Sequence, residues 1–590
     1  MPLCYPKDKP PLFATGGSDY RKLREKGQVY VDKTLFITEV LSNDVEALII
    51  PRPRRFGKTL NMSTLRYFLE INKKEELSHL FADTAIWQAK DSDGKRYRDE
   101  HFQRYPVIFL TFKDAKATTW QETSSDIRKI LHRELKRLIA RYPDGSEYES
   151  FEDVAALLAD DVAMSDLKWT LEYLVTWLHD VTGKHVVVLV DEYDAPLHAA
   201  DQHAYWDEAV AFFGGFLSLG YKDRALLYRG VITGILKVAK ENIFSDLNNP
   251  AICTILDDES RDAFGFTQTE VEDLVSLAGR GAQLPVIQRW YNGYQFGSGD
   301  EQGTITIYNP WSVLQYLNKG KLKPAAYWMN TSANVLVRKL LKGQAARHGD
   351  QVEALLRRKC ITTRISENLE LRRIETTENA LWSLLLFSGY LTVDSVLYEG
   401  DRKLYRLCVP NQEVLQVYQD TFTELLSDGS GGSITQLLNA MLEGEAHTFQ
   451  RQLEKVLVTI TSYHDFSGEE PEAIYHAFVM GLIAHLSGTH IIRSNREAGH
   501  GRADLLVIPK KAGAPAAVLE FKVARLPRRW KKRWNDKDDA IDDLLDQSLE
   551  EAIDQLKDRD YAAELADHDV GAVHRFAVAF HKKKCLVERV

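Results

Sequence analysis

Arg52-Pro53-Arg54-Arg55-Phe56-Gly57-Lys58-Thr59 stands between an apolar, β-prone run, EALIIP at 46–51, and a segment, 59–71, with Leu60, Leu65, Phe68 and Leu69 at helical spacing. Strand, loop, helix is the layout a phosphate-binding loop requires. Amides at the start of the helix face an anion, a lysine reaches the β- and γ-phosphates, and a threonine hydroxyl binds Mg2+. The stretch matches GxxxxGK[ST] at Gly57-Lys58-Thr59 but has Arg52 where the first glycine belongs. Arg55, Phe56, Gly57, Lys58 and Thr59 are therefore the expected nucleotide contacts.

A GKT tripeptide alone is a weak signal, and its surroundings strengthen it. VVVLV at 186–190 reads as a buried strand that delivers Asp191 toward Mg2+ and its waters, with Glu192 next to it to polarise an attacking water. A solvated acidic turn after a core strand is the plainer alternative. Thr233 ends the strand candidate ALLYRGVITG at 225–234 and could sense the γ-phosphate from a neighbouring strand, although strand threonines also simply pack. The cofactors expected are ATP and Mg2+, with Thr59 and Asp191 as metal ligands.

VIFLTF at 107–112 and VVVLV read as strands buried on both faces, with helical patterns between them, so an α/β class with a parallel sheet is expected. The sheet ends by about Leu256. From Phe264 to about Leu426 the pattern is mostly helical, with a small hairpin over 391–409 that turns at Glu399-Gly400-Asp401. SDGSGGS at 427–433 is flexible by composition and marks a junction. Helices then follow at 434–463 and 471–486, strands at 489–494, 503–508 and 516–523, a helix at 540–558 and a last strand at 575–580. The expected domains are 1–256, 257–430 and 431–590.

At 590 residues the chain is too long for one core, and 44% hydrophobic with 27% charged residues excludes a disordered chain. A net charge of −10 excludes a general polyanion binder, so contact with nucleic acid requires a local basic patch. Cys4, Cys253, Cys360, Cys408 and Cys585 lack CxxC pairing and read as free thiols. With no run of about 20 apolar residues and no signal layout, the expectation is a soluble cytoplasmic protein without a membrane partner.

A second chemical centre lies in the last domain. Gly501-Arg502-Ala503-Asp504 precedes a strand, AAVLEFKV, that carries Glu520-Phe521-Lys522. Side chains two apart on a strand share a face, so Glu520 and Lys522 project together, and Asp504 joins them if its strand is adjacent. Asp504 and Glu520 can hold Mg2+ that activates water, with Lys522 orienting the water or stabilising charge. A solvated strand edge also carries ExK. Glu472 is a further acidic candidate, with His476 one turn on. RLPRRWKKR at 525–533 supplies the basic patch, in which Arg528, Arg529, Lys531, Lys532 and Arg533 meet phosphates and Trp530 stacks on a base. A solvated loop balancing the acidic stretch 536–546 is an even alternative.

PRPRRFGKTLNMSTL, VDEYDAP, TGILKVAKENIFSDLNN, WYNGY and YNPWS, in this order after Val31-Asp32-Lys33-Thr34, resemble the bacterial AAA-ATPase-like family, whose members often carry a C-terminal PD-(D/E)xK nuclease-like domain. The arginine-rich loop before GKT is usual there. The resemblance implies an AAA-like ATPase domain, a mostly helical middle domain and a nuclease-like α/β domain. It also implies that Gln555 and Tyr561 follow the ExK strand as in similar nuclease domains. Trp290, Tyr291, Tyr294, Tyr308, Trp311 and Trp328 fall in an aromatic-rich family region, for which core packing is the favoured reading.

The leading expectation is ATP binding and hydrolysis that controls a Mg2+-dependent nuclease acting on DNA, in phage defence or DNA processing. The alternatives are a nucleotide switch whose nuclease-like domain binds nucleic acid or a protein without cutting, and a motor that moves along DNA. Because arginine fingers often come from a second subunit, a homo-oligomer is among the expected partners.

Overall fold

The structure is a computed structural model. It describes residues 3–590 other than 9, 160, 222–224, 237–249, 300–302, 319–322, 329–350, 352–353, 357, 368–378, 401, 427–431, 462–485, 487–488, 495–503, 525–536, 559–564, 566–567 and 582–583. The chain divides into two compact units, Met1–Asn330 with Thr362–Glu413, and Thr331–Ile361 with Val414–Val590.

The first unit is built on a five-stranded sheet in the order Val107–Thr111, Val186–Asp191, Leu227–Gly234, Ala47–Pro51, Ala251–Ile252, and every pairing is parallel. Every residue of Ala47–Pro51 and of Val186–Asp191 is buried, which is what near-continuous apolar strands covered on both faces produce. Strand order decides which loops meet. The strand that ends in Thr233-Gly234 lies between the strand feeding the Arg52–Thr59 loop and the strand ending in Asp191. Register pairs Pro51 with Gly234 and Thr111 with Asp191, so these strand ends form one edge. Ligands of open parallel sheets bind at that edge.

The segment after the sheet folds onto the beginning of the chain. Phe13, Val29 and Val31 share a core with Phe266, Val271, Tyr291, Tyr308 and Tyr316. Helices Gln268–Leu277, Leu284–Tyr291, Pro310–Asn318 and Ala380–Phe387 carry this part, with the hairpin Thr392–Glu399 and Arg402–Cys408. Lys33 from the VDKT stretch is buried in an ion pair with Glu270 (2.7 Å), and Asp32 accepts the amides of Thr34 (2.9 Å) and Ala85 (2.6 Å).

The second unit carries a mixed five-stranded sheet in the order His490–Ser494, Leu505–Pro509, Ala516–Val523, Val573–His581, Lys584–Arg589. Only Ala516–Val523 and Val573–His581 run parallel, and the helix Lys537–Asp558 lies in the crossover between them. Leu505, Val507, Leu519 and Phe521 pack against Leu437, Met441, Phe449 and Leu453, from helices Gly432–Glu443 and Ala446–Thr461. On the opposite face Leu506, Ile508, Ala516 and Val518 pack against Ala552 and Leu556 of the crossover helix.

Cys4, Cys253 and Cys585 are free and buried, while Cys360 and Cys408 are disulfide-bonded, which corrects the expectation of five free thiols. Among the described residues no helix is long and apolar enough to cross a membrane.

Candidate functional site

Gly57 caps the helix Lys58–Leu69 in a left-handed conformation, φ 90°, which a residue with a Cβ adopts only at a cost. That turn puts Lys58 and Thr59 in the first helical turn, at the sheet edge. The Lys58 ammonium is buried and donates to the carbonyls of Arg52 (2.9 Å) and Pro53 (3.0 Å). Burial pushes its pKa down, while Glu192, Asp194 and Asp191 oppose the shift. Such an ammonium is held inside the loop, where phosphate oxygens can take the place of the carbonyls.

Asp191 is the hub of the site. Its carboxylate accepts the hydroxyls of Thr233 (2.7 Å), Thr59 (2.8 Å) and Thr111 (3.2 Å), one each from the neighbouring strands and one from the loop helix. Burial raises its pKa, and these hydroxyls together with Lys58 pull it back. Thr111 was not singled out in the sequence. Its signal is a polar residue closing an apolar strand, in register with Asp191. Glu192 has a left-handed backbone, φ 51°, and burial pushes its carboxyl up while Lys58 lowers it. Asp194 accepts the amides of Ile235 (2.7 Å) and Leu236 (3.1 Å), fixing the turn that follows Thr233. Burial would raise its pKa, but His198 and these amides hold it below the usual carboxylate value.

Arg52 explains the missing glycine. Its guanidinium turns away from the phosphate position and donates to the carbonyls of Pro51 (2.9 Å), Cys253 (2.5 Å), Ser260 (3.2 Å) and Glu259 (3.3 Å). The side chain is buried over the Phe264 ring, 5.1 Å from its centroid. Phe56 is buried between Tyr294 and Phe296, with ring centroids at 5.0 and 5.6 Å, and its carbonyl accepts the Gly265 amide (3.1 Å). Arg55 lays its guanidinium on Trp311, 3.9 Å from the ring centroid. Of the aromatic-rich stretches, Tyr291, Tyr294, Tyr308 and Trp328 are buried, and Tyr294 and Trp311 reach the loop.

In the second unit the strand Ala516–Val523 places Glu520 in full burial, with Lys522 Nζ 4.0 Å from its carboxylate. The Asp504 amide donates to Glu520 (3.3 Å), and the Phe521 amide donates to Asp504 (2.9 Å). Asp504, Glu520 and Lys522 are thus brought together, with Phe521 turned into the opposite core. Gln555, on the helix covering the face that Glu520 and Lys522 share, has a buried side-chain oxygen without a hydrogen-bond partner among the described residues. Glu472, His476, Tyr561 and the basic residues Arg528, Arg529, Trp530, Lys531, Lys532 and Arg533 lie outside the described residues.

Both centres offer hard oxygen donors, a hydroxyl with a carboxylate at Thr59 and Asp191 and two carboxylates at Asp504 and Glu520, a donor chemistry that fits Mg2+.

Family models match two stretches of the chain, a predicted AAA-ATPase over residues 14–244 and the PD-(D/E)XK nuclease superfamily over residues 470–590. A relative described as an uncharacterized protein in the vnfD 5' region of Azotobacter chroococcum mcd 1 is 25% identical over 529 residues, covering 87% of this chain and 89% of its own length. Residues 14–244 are thus similar to the AAA-ATPase-like family and residues 470–590 to the PD-(D/E)XK nuclease superfamily.

Proposed function

We propose that the protein binds and hydrolyses ATP with Mg2+ at the Gly57–Thr59 loop and that this controls Mg2+-dependent phosphodiester hydrolysis of DNA at Asp504, Glu520 and Lys522. The observation that carries the reading is the meeting of Thr59 and Asp191 at 2.8 Å, across 132 residues of sequence, at the edge of a parallel sheet where ligands bind. Lys58 neutralises the β- and γ-phosphates, the amides from Arg55 to Thr59 cradle them, and Thr59 and Asp191 hold Mg2+, which there supplies charge neutralisation at the transferring phosphoryl group. Glu192, raised by burial, orients the attacking water, and Thr233 reads the γ-phosphate from the central strand.

At the second centre Asp504 and Glu520 hold Mg2+, which supplies an activated water and neutralises charge on the scissile phosphate, while Lys522 stabilises developing negative charge. The basic stretch Arg528–Arg533 holds the nucleic-acid backbone, and Trp530 stacks on a base. A pairing of this kind suits defence against foreign DNA or DNA processing. We place the domain boundaries at 256 and 430, the cytoplasm as the compartment and a homo-oligomer as a possible assembly within the same reading.

The test uses the full chain with ATP, Mg2+ and several DNA and RNA forms. Cleavage that disappears in Glu520→Ala, together with ATP binding that disappears in Lys58→Ala, is the expected outcome. Equal cleavage by wild type and Glu520→Ala would sink the nuclease assignment.

A further inference from the structure

Arg55 directly precedes Phe56 and Gly57 and has a left-handed backbone, φ 67°. Its guanidinium sits on Trp311, and Nη1 is buried without a hydrogen-bond partner among the described residues. The residue after Trp311, Ser312, directs its hydroxyl to the two carboxylate oxygens of Glu413 (2.9 and 2.8 Å), and that carboxylate also accepts the Trp328 amide (2.7 Å). Glu413 is fully buried in the first turn of the helix Gln412–Leu426, and the charge of Arg55 bears on it. From Glu413 the chain runs on toward the segment that contains Asp504 and Glu520.

Arg55 lies on an indole, yet it belongs to the loop that would receive a polyanion, and a charge-assisted bond to phosphate is stronger than stacking on a ring. If Arg55 turns to phosphate it leaves the Trp311 ring, and the packing next to Ser312, whose hydroxyl holds the Glu413 carboxylate, has to rearrange.

We infer that Arg55, Trp311 and Glu413 form a nucleotide-responsive latch: phosphate at the loop draws Arg55 off Trp311 and loosens the start of the helix Gln412–Leu426, which Glu413 anchors. The inference rests on the nucleotide-binding reading and adds to it the route by which occupancy leaves the site. Trp311 and Glu413 act as positioning residues and contribute nothing to nucleotide contact.

Hydrogen–deuterium exchange on the full chain tests it, with and without a non-hydrolysable ATP analogue and Mg2+, after calorimetry has established binding. In the wild type, amides of 412–426 are expected to exchange several-fold faster with the analogue bound, while those at the start of the helix Lys58–Leu69 gain protection. Trp311→Leu and Glu413→Gln are expected to keep that protection and bind the analogue at least as tightly, since no energy goes into opening the latch, but to lose the response at 412–426. An analogue-bound wild type with 412–426 unchanged overturns the latch, and so do variants that respond as the wild type does. Should Glu413→Gln fail to fold, Trp311→Leu decides alone. Calorimetry that shows no binding to the wild type overturns the nucleotide-binding reading itself.

Discussion

Arg52 stands where a phosphate loop ordinarily has glycine, and its side chain has become a strut. It ties the loop to the 253–260 segment through backbone carbonyls and lies over Phe264. Arg52→Gly, which restores the common motif, is therefore expected to cost roughly 2–5 kcal/mol, because it strands buried carbonyls and removes packing. It is expected to bring no gain in ATP turnover. Urea unfolding and a phosphate-release assay check the two halves of that statement. Thr111 gives a second contrast. Thr111→Val removes one hydroxyl from the buried Asp191 carboxylate and is expected to cost about 1–3 kcal/mol of stability with nucleotide affinity retained. Thr59→Val is expected to lose the Mg2+-dependent part of affinity, measured by titration calorimetry with and without the metal. That Lys58 and Thr59 open a helix and that Thr59 meets Asp191 was legible from residue type and order. Thr111 and the direction of Arg52 were not, because each depends on which strand or segment comes to lie beside it.

At the level of elements, the helix Lys58–Leu69 begins at a glycine with φ 90°, and an added Cβ there would meet nothing within 4 Å. Gly57→Ala is therefore a backbone penalty without a clash, about 1–2 kcal/mol, readable as a lower unfolding midpoint. The helix Gln412–Leu426 begins at a carboxylate that burial raises from 4.5 to about 7, with the Trp328 amide, Ser312 and Arg55 lowering it. An acid raised in the folded state binds more protons folded than unfolded, so its contribution is full below pH 4.5 and is lost as pH rises through 7. Urea unfolding at pH 5 and pH 8 is expected to show the wild type losing stability relative to Glu413→Gln. The difference is on the order of 3 kcal/mol at most, at about 1.4 kcal/mol per unit. Strand positions were largely readable, since Val186–Asp191 and Ala516–Val523 are apolar runs with sharp ends. Lys584–Arg589 was not, because its alternation of polar and apolar residues in so short a run is drawn into a strand only by pairing with Val573–His581.

At the scale of the molecule, the two proposed chemistries occupy separate stretches of chain, and the proposed relation between them is one of control. Full-length protein with Glu520→Ala is therefore expected to retain ATP turnover within about twofold, while Lys58→Ala changes the rate of DNA cleavage, since only one centre supplies the control. Parallel phosphate-release and plasmid-nicking assays check it. The class of each sheet could be read from the run of apolar segments. The packing of Phe13, Val29 and Val31 against residues beyond 260 could not, because no local pattern announces so distant a pairing.

The segment 253–270 also bears on where this protein can be cut. It supplies the carbonyls that receive Arg52, the Ala263 carbonyl bonded to Asn61, the Gly265 amide bonded to Phe56 and the carboxylate paired with Lys33. A chain shortened to residue 244 would keep every residue of the AAA-ATPase match and still expose the underside of its own phosphate loop. Fragments that stop short of Glu270 are therefore expected to be recovered as insoluble material.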